Sequence, residues 1–380
     1  MNTRQEILAL LRGQQIGKIP VSLYKIDPYD EKSFWAGHAS FSHLLEKMRS
    51  SCHNFYFFRP NTGFFFSDPS TIEVKEERKQ DSRISEVITL TVETEKGLLT
   101  RTARTTKLSN QQWVLKPWIT TSHDIEKFLS LPYTPCKIDL RNFFEKESAY
   151  GDKSMPLISL PDPTGVIGFL FAPGDLPKFL LDHEKLVTQL FEIFVERLEN
   201  IYRDISTLVH NVIIRIRGAE YLTPPILPIE YFRNYKDVFI NYVIKPDAKL
   251  INILRSGNLN YVCYHWHDIR EDLLPYVLRL GIDILEPVIT TIEVPMTIAK
   301  IRKITGPNIT LMGGPAIEDI EFRSSYEIAE LCRDSIVQNG RSTKFVLIPS
   351  DVPSSIPLSP QTEENLLAMI NTANNFTAII

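Results

Sequence analysis

The sequence predicts an α/β fold, a (β/α)8 TIM barrel carrying an inserted antiparallel β-hairpin or small sheet near residues 71–117. Three observations predict it. Short apolar runs rich in β-branched and aromatic residues recur along the chain, and helix-period patterns separate most of them. One interval of alternating polar and apolar residues breaks that rhythm. Parallel strands need crossover connections, so eight runs with interposed helices fit a barrel. A doubly wound open sheet has the same rhythm and is the competing architecture.

In chain order, "MNTRQEILALLRGQQ" reads as a short amphipathic helix rather than a signal peptide. Strands are expected at 19–25 (IPVSLYK), 54–58 (NFYFF), 156–160 (PLISL) and 211–217 (NVIIRIR). Four more follow at 259–264 (LNYVCY), 282–287 (IDILEP), 309–314 (ITLMGG) and 344–349 (KFVLIP). Helical patterns lie at 36–50, 176–207, 230–247, 268–280, 294–305, 323–339 and 361–374. In the interval 71–117, "EKG" supplies a turn before "LLTRTART". This insertion covers the barrel mouth, joins subunits or is a passive decoration. Prolines gather at loops such as "TPPILP" (223–228) and "PSDVPSSIPLSP" (349–360), where a fixed φ stiffens the rim. The expected organisation is one barrel domain over 1–380 with its β subregion at 71–117.

Composition narrows the function classes. Apolar residues make up 43% and charged residues 23%, an ordinary globular balance. With 42 basic against 46 acidic residues the net charge is −4, so no broad basic face for nucleic acid is expected. Cys52, Cys136, Cys263 and Cys332 are far apart and form no CxxC pair, which fits a reducing cytoplasm better than a disulfide or cysteine–metal framework. No apolar run approaches the roughly 18 residues of a membrane span. A soluble cytoplasmic protein is expected.

The chemistry concentrates in "YVCYHWHDIREDLLPYVLRLGIDILEPV" (261–288), a strand, loop, helix and strand in succession. His265 and His267 stand two apart at a strand end, so they share a face with Cα atoms about 7 Å apart. Two imidazoles so placed converge on one metal with geometry suited to zinc, or simply hydrogen-bond substrate or loop backbone. Glu220 follows the fourth strand and completes a metal shell, acts as a general acid/base, or pairs with Arg215 or Arg217. Glu286 ends the sixth strand facing the same mouth, as a substrate contact or a basic residue's partner. Gly313 and Gly314, in "LMGGP", let backbone N–H groups approach a ligand, although a tight βα turn needs glycine anyway. Tyr24 and Trp266 are expected to line the pocket, Trp266 alternatively shielding the rim. The aromatic run at 55–66 reads as packing.

Several stretches in order and spacing resemble the uroporphyrinogen decarboxylase superfamily. They are "RQEILALLRGQQIGKIPVSLY", "VETEKGLLTRTARTT", "QWVLKPWITTSHDIEKFLSLPY", "GAEYLTPPILPIEYFRNY", "CYHWHDIREDLLPYVLRLGIDILEPV", "ITLMGG" and "PLSPQTEENLLAMI". The resemblance implies a (β/α)8 barrel with its active site at the C-terminal mouth. "VETEKGLLTR" with its tryptophan and "DIEKFL" helix is similar to the methyltransferase and demethylase branch. The decarboxylase's arginine-rich segment after the first strand is replaced by "LYKIDPYDEK" (23–32), with Lys25 alone, and "NFYFFRPNTG" offers Arg59 and Asn61. Several substrate carboxylates need several cations, so porphyrinogen decarboxylation is the lesser reading.

The branch implies a small methylated substrate, with a methyl-corrinoid protein or tetrahydrofolate as methyl partner. Its zinc-bearing members use His-x-Cys and a later cysteine. Here His265 keeps the first position, His267 replaces the cysteine, and Asp351 falls near the later one, giving a possible zinc or other divalent set of His265, His267 and Asp351. Glu220 and His267 are the expected catalytic pair. A non-catalytic binding homologue is the remaining alternative, and a homodimer is expected from family habit.

Overall fold

The computed structural model describes residues 2–376 except 231, 233, 291–295, 341 and 355. Its strands are β1 (Asn54–Phe58), β2 (Val74–Gln80), β3 (Ser85–Thr94), β4 (Gly97–Thr106), β5 (Ser109–Lys116) and β6 (Ser154–Pro161). They continue as β7 (Ile213–Arg217), β8 (Tyr261–His265), β9 (Ile284–Thr290), β10 (Thr310–Pro315) and β11 (Phe345–Leu347). A parallel sheet runs β1-β6-β7-β8-β9-β10-β11, and a separate antiparallel sheet runs β2-β3-β4-β5.

The parallel strand order follows the chain without reversal. A doubly wound sheet reverses its strand order midway, so that alternative is overturned. Every residue of β8, β10 and β11 is buried, and so are all but the last of β6 and β7. Strands covered on both faces need near-continuous apolar sequence, which is why "PLISL" and "NVIIRIR" read as they do.

The strand expected at 19–25 shrinks to one bridge, Val21 with Leu347. Pro20 has no N–H to give a ladder, and Tyr24 turns into the left-handed region at φ 56°, which ends the extended run. The segment is nevertheless tied on both sides. Leu347 donates to Pro20 O at 2.8 Å, Ser22 donates to Leu347 O at 3.0 Å, and His53 donates to Val21 O at 2.7 Å. The two edges of the sheet, at β11 and just before β1, therefore meet one segment, and the sheet is strongly curled.

The helices follow their patterns with local corrections. The expected 176–207 helix breaks at His183 into Asp175–Asp182 and Glu184–Leu208. The latter buries Val187, Leu190, Phe191, Phe194, Leu198, Ile201 and Ile205 at helical spacing. The 268–280 helix is only Leu274–Leu278, because Pro275 sits in its first turn and Asp268 lies at φ 53°. The 230–247 helix starts later, at Tyr235, and runs through a π-turn to Ser256. Ser42–Ser51, Ser325–Gln338 and Pro360–Asn375 lie close to expectation, the last two N-capped by Ser324 and Ser359. Of the expected 294–305 helix, Ile298–Thr305 forms, and its first two residues lie outside the described residues.

The insertion is the expected antiparallel sheet, enlarged to four strands, with Thr94 and Gly97 closing the β3–β4 hairpin. Among the described residues no helix is long and apolar enough to cross a membrane.

Ser22→Pro tests the doubly tied segment, since it deletes the N–H that reaches Leu347 and leaves a buried carbonyl unserved. A loss of about 1–3 kcal/mol is expected, read as a lowered thermal midpoint. An unchanged midpoint would mean that the segment is ornamental.

Candidate functional site

The site is built on β7. Arg215 and Arg217 stand two apart in "IIRIR" and so face the same side of the sheet. Arg215 is only 1% exposed. Its Nε donates to Glu286 Oε2 at 2.8 Å, Nη1 to Ser159 Oγ at 3.2 Å and Nη2 to the Tyr24 hydroxyl at 2.7 Å. A guanidinium has no other way to sit in an apolar interior, because unpaired burial of a charge is prohibitive.

Glu286 carries the network onward. Its Oε2 lies 3.1 Å from His265 Nδ1, so that nitrogen bears the hydrogen when the carboxylate is ionised. Burial alone pushes the Glu286 carboxyl up, yet Arg215 and His265 hold it well below the usual carboxylate range. His265 is pushed down to about 3 by burial and by the Arg215 charge, against the pull of Glu286. It is thus a neutral imidazole of fixed tautomer. The His267 ring stands edge-on to it, with centroids 4.6 Å apart at 88°, and is half-buried where His265 is buried.

Glu220 lies in the turn Ala219–Leu222 directly after β7 and Gly218. It does not pair with Arg215, which Glu286 occupies, nor with Arg217; its Oε2 is buried without a hydrogen-bond partner. Burial pushes its carboxyl up, while its own backbone N–H and the neighbouring His267, Arg215 and Arg217 pull it down. Asp351 meets Lys25 Nζ at 3.3 Å, and Lys25 lies over the Tyr24 ring at 4.5 Å.

The expected residues thus divide. Tyr24, Glu286, His265 and His267 gather around Arg215, with Glu220 near His267. The metal set is not assembled: Asp351 is engaged by Lys25, and among the described residues no group of three His, Cys, Asp or Glu is arranged to hold a metal ion. Two imidazoles alone fall short of the three protein ligands of a zinc catalytic site.

Trp266 is corrected as a substrate contact, and the two glycines have a packing role. Trp266 is fully buried, its ring stacked on Phe239 at 5.7 Å and its Nε1 donating to Thr223 Oγ1 at 3.3 Å. It packs against the Glu220 turn from behind and does not line the mouth. Gly313 and Gly314 are explained by packing, since an added Cβ would sit 1.9 Å from Val288 O at the first and 2.7 Å from Ile348 O at the second.

The sequence reading missed Arg215 and Ser159, and it undercounted cations. The signal was present in "VIIRIR": two arginines at a spacing of two inside an apolar strand point inward together. It also missed two buried acids behind the mouth. Asp162 follows β6 and caps the next helix, its Oδ1 accepting from Gly165 N at 2.5 Å; Asp247 accepts from the Tyr264 hydroxyl at 2.6 Å. Each keeps one buried oxygen without a partner.

No model of a known protein family matches the chain, and no curated protein matches it. Among solved structures, a methyltransferase from Methanosarcina mazei superposes with a TM-score of 0.58 at 14% identity, covering 99% of each chain. That likeness establishes a shared fold. A racemase from Streptomyces coelicolor A3(2), with a TM-score of 0.20 at 11% identity over 75% of this chain and 95% of that one, aligns too loosely to carry an argument.

Glu286→Gln is expected to cost about 3–5 kcal/mol, because it strands the Arg215 charge; replacing both residues with apolar ones of similar volume should recover most of the loss. Denaturant unfolding of the single and double variants measures this. Asp162 gives a pH test. Its carboxyl is pushed up by burial to about 7 from an ordinary 3.8, so the folded chain holds a proton that the unfolded chain releases between roughly pH 4 and pH 7. Stability from this group is therefore lost as pH rises through that window. Asp162→Asn should gain on the wild type from pH 4 to pH 7, by at most about 1.4 kcal/mol per pH unit. Parallel stability profiles would refute the assignment.

Proposed function

We propose that this chain is a methyltransferase-like barrel enzyme acting on a small molecule at the C-terminal ends of its parallel strands. The observation that carries this reading is the pair of unequal imidazoles, the inner one locked neutral by Glu286 and Arg215 and the outer one half-exposed. The full-length fold likeness to the Methanosarcina mazei methyltransferase supports the reaction class. We also infer that residues 20–22 serve as the eighth stave, so that the curled sheet is a (β/α)8 barrel.

In the transfer, a lone pair on the acceptor atom forms the new bond to the methyl carbon. The bond between methyl and carrier breaks, and its electron pair stays with the carrier. The acceptor's proton goes to a ring nitrogen of His267, the general base, with Glu220 as the second proton-handling group nearby. His265 fixes the orientation of that ring by its edge contact. A methyl-corrinoid protein or a methylated folate is the methyl partner in this reading, a co-substrate rather than a resident group. No step is assigned to a metal, because the donor set does not fit one.

The test is a methyl-transfer assay with methylcobalamin and with methyltetrahydrofolate, offering thiol, phenol and amine acceptors and following loss of the methyl carrier optically. Turnover is expected with one carrier. His267→Ala should lower kcat by about 10²–10⁴-fold with an unchanged circular dichroism spectrum. No methyl consumption from either carrier, or full activity in the variant, would overturn the reading.

A further inference from the structure

Four cations stand at the mouth, and two of them have counter-ions. Arg215 pairs with Glu286 at 2.8 Å and Lys25 with Asp351 at 3.3 Å. The side chains of Arg59 and Arg217 make no ion pair or hydrogen bond among the described residues, and the Arg217 Nε is buried without an acceptor. Both follow or end strands at the same end of the sheet. The register sets Phe58 beside Ile158 and Ile158 beside Ile214, so Arg59, one residue on, stands at the level of Ser159 and Arg215. Only β6 separates β1 from β7, which places their backbones about 10 Å apart. Extended arginine side chains are long enough to span that gap from both sides. Burial lowers the pKa of both guanidiniums; the Arg59 charge lowers that of Arg217 further, and the Arg215 charge that of Arg59, so the three cations stand close together against their own repulsion.

The nearby acids do not resolve this. Glu220 forms no ion pair with either arginine, and burial pushes its carboxyl up. Asp162 is committed to the Gly165 N–H and is likewise pushed up by burial. Burial thus works against ionisation of both acids, and neither makes an ion pair with Arg59 or Arg217. Arg59 is exposed and Arg217 half-buried, so a solute can reach them. The Arg217 guanidinium lies over the Phe169 ring at 5.5 Å, which helps to fix its plane.

We propose that Arg59 and Arg217 form a subsite for one carboxylate of the small substrate, gripped between two guanidinium forks. The proposal rests on the reading of this mouth as the reaction site. Planar two-oxygen anions match the guanidinium fork. Phosphate is the competing anion, and titration with each separates the two. A multiply carboxylated porphyrinogen is disfavoured, since Arg215 and Lys25 are already neutralised and only one anion is served.

Isothermal titration of the full chain with malonate, and separately with inorganic phosphate, tests this without turnover. Saturable malonate binding is expected, weakened tenfold or more in Arg59→Gln and in Arg217→Gln. It should be unchanged in Arg83→Gln, an exposed arginine of the inserted sheet. Thermal midpoints of the variants verify folding. No saturable malonate binding, equal binding by all variants, or binding of phosphate in preference to malonate would each overturn the subsite. Malonate binding lost in both variants while no methyl carrier is consumed would retain the subsite and remove the methyl-transfer reading. Methyl transfer that survives both substitutions with unchanged KM would do the reverse.

Discussion

The Arg215 side chain lies inside the curl of the parallel sheet and reaches three partners from three other parts of the chain: Ser159 on β6, Glu286 on β9 and Tyr24 beyond the 20–22 segment. Burial would drive a lone guanidinium out of the interior, so each partner must be where it is or the others lose their purpose. Such a pair adds little net stability compared with an apolar replacement, but removing one partner is severe. Its value here is positional. The same Glu286 oxygen that meets Arg215 also meets His265 Nδ1, so the ion pair dictates the tautomer of the inner imidazole. In the proposed reaction, with the inner ring held neutral, His267 is the imidazole left to exchange a proton. The edge contact between the rings passes the fixed orientation outward.

Most of the scaffold was legible in the sequence, because parallel strands covered on both faces must be written in apolar residues and helices in a 3.6-residue stripe. "NFYFF" matches β1 at both ends, and the other core strands lie within two or three residues of expectation. The apolar content at 19–25 reads as a strand, whereas Pro20 and the left-handed Tyr24 limit its pairing. The histidine pair was legible from the period of two alone. That same period argues against Trp266, which sits between the two histidines and must point to the opposite face, where Phe239 and Thr223 receive it. Partners are another matter. Nothing local says that Glu286 joins Arg215, 71 residues away, or that Asp351 joins Lys25, 326 residues away. Gly313 and Gly314 read as ligand approaches because the carbonyls of Val288 and Ile348 that exclude their side chains come from neighbouring strands.

The charge layout at the mouth follows from desolvation. Behind it, Asp162 and Asp247 are buried, which pushes both carboxyls up; Asp162 adds to the cost of ionising Asp247, and Glu220 to that of Asp162. In front, Arg59 and Arg217 reach solvent, and burial and the Arg59 charge both lower the Arg217 pKa. An acid that is reluctant to ionise is a poor counter-ion, so the rear carboxyls leave the front cations unneutralised, although opposite charges lie within the same end of the sheet. An incoming anion supplies what those acids do not, and it meets donors already ordered by packing, which lowers the entropic cost of binding. Once bound, its negative charge further opposes ionisation of Glu220 by like-charge repulsion. In the proposed reaction that repulsion favours Glu220 as the proton donor of the pair, which is the role its buried, unpartnered oxygen suits.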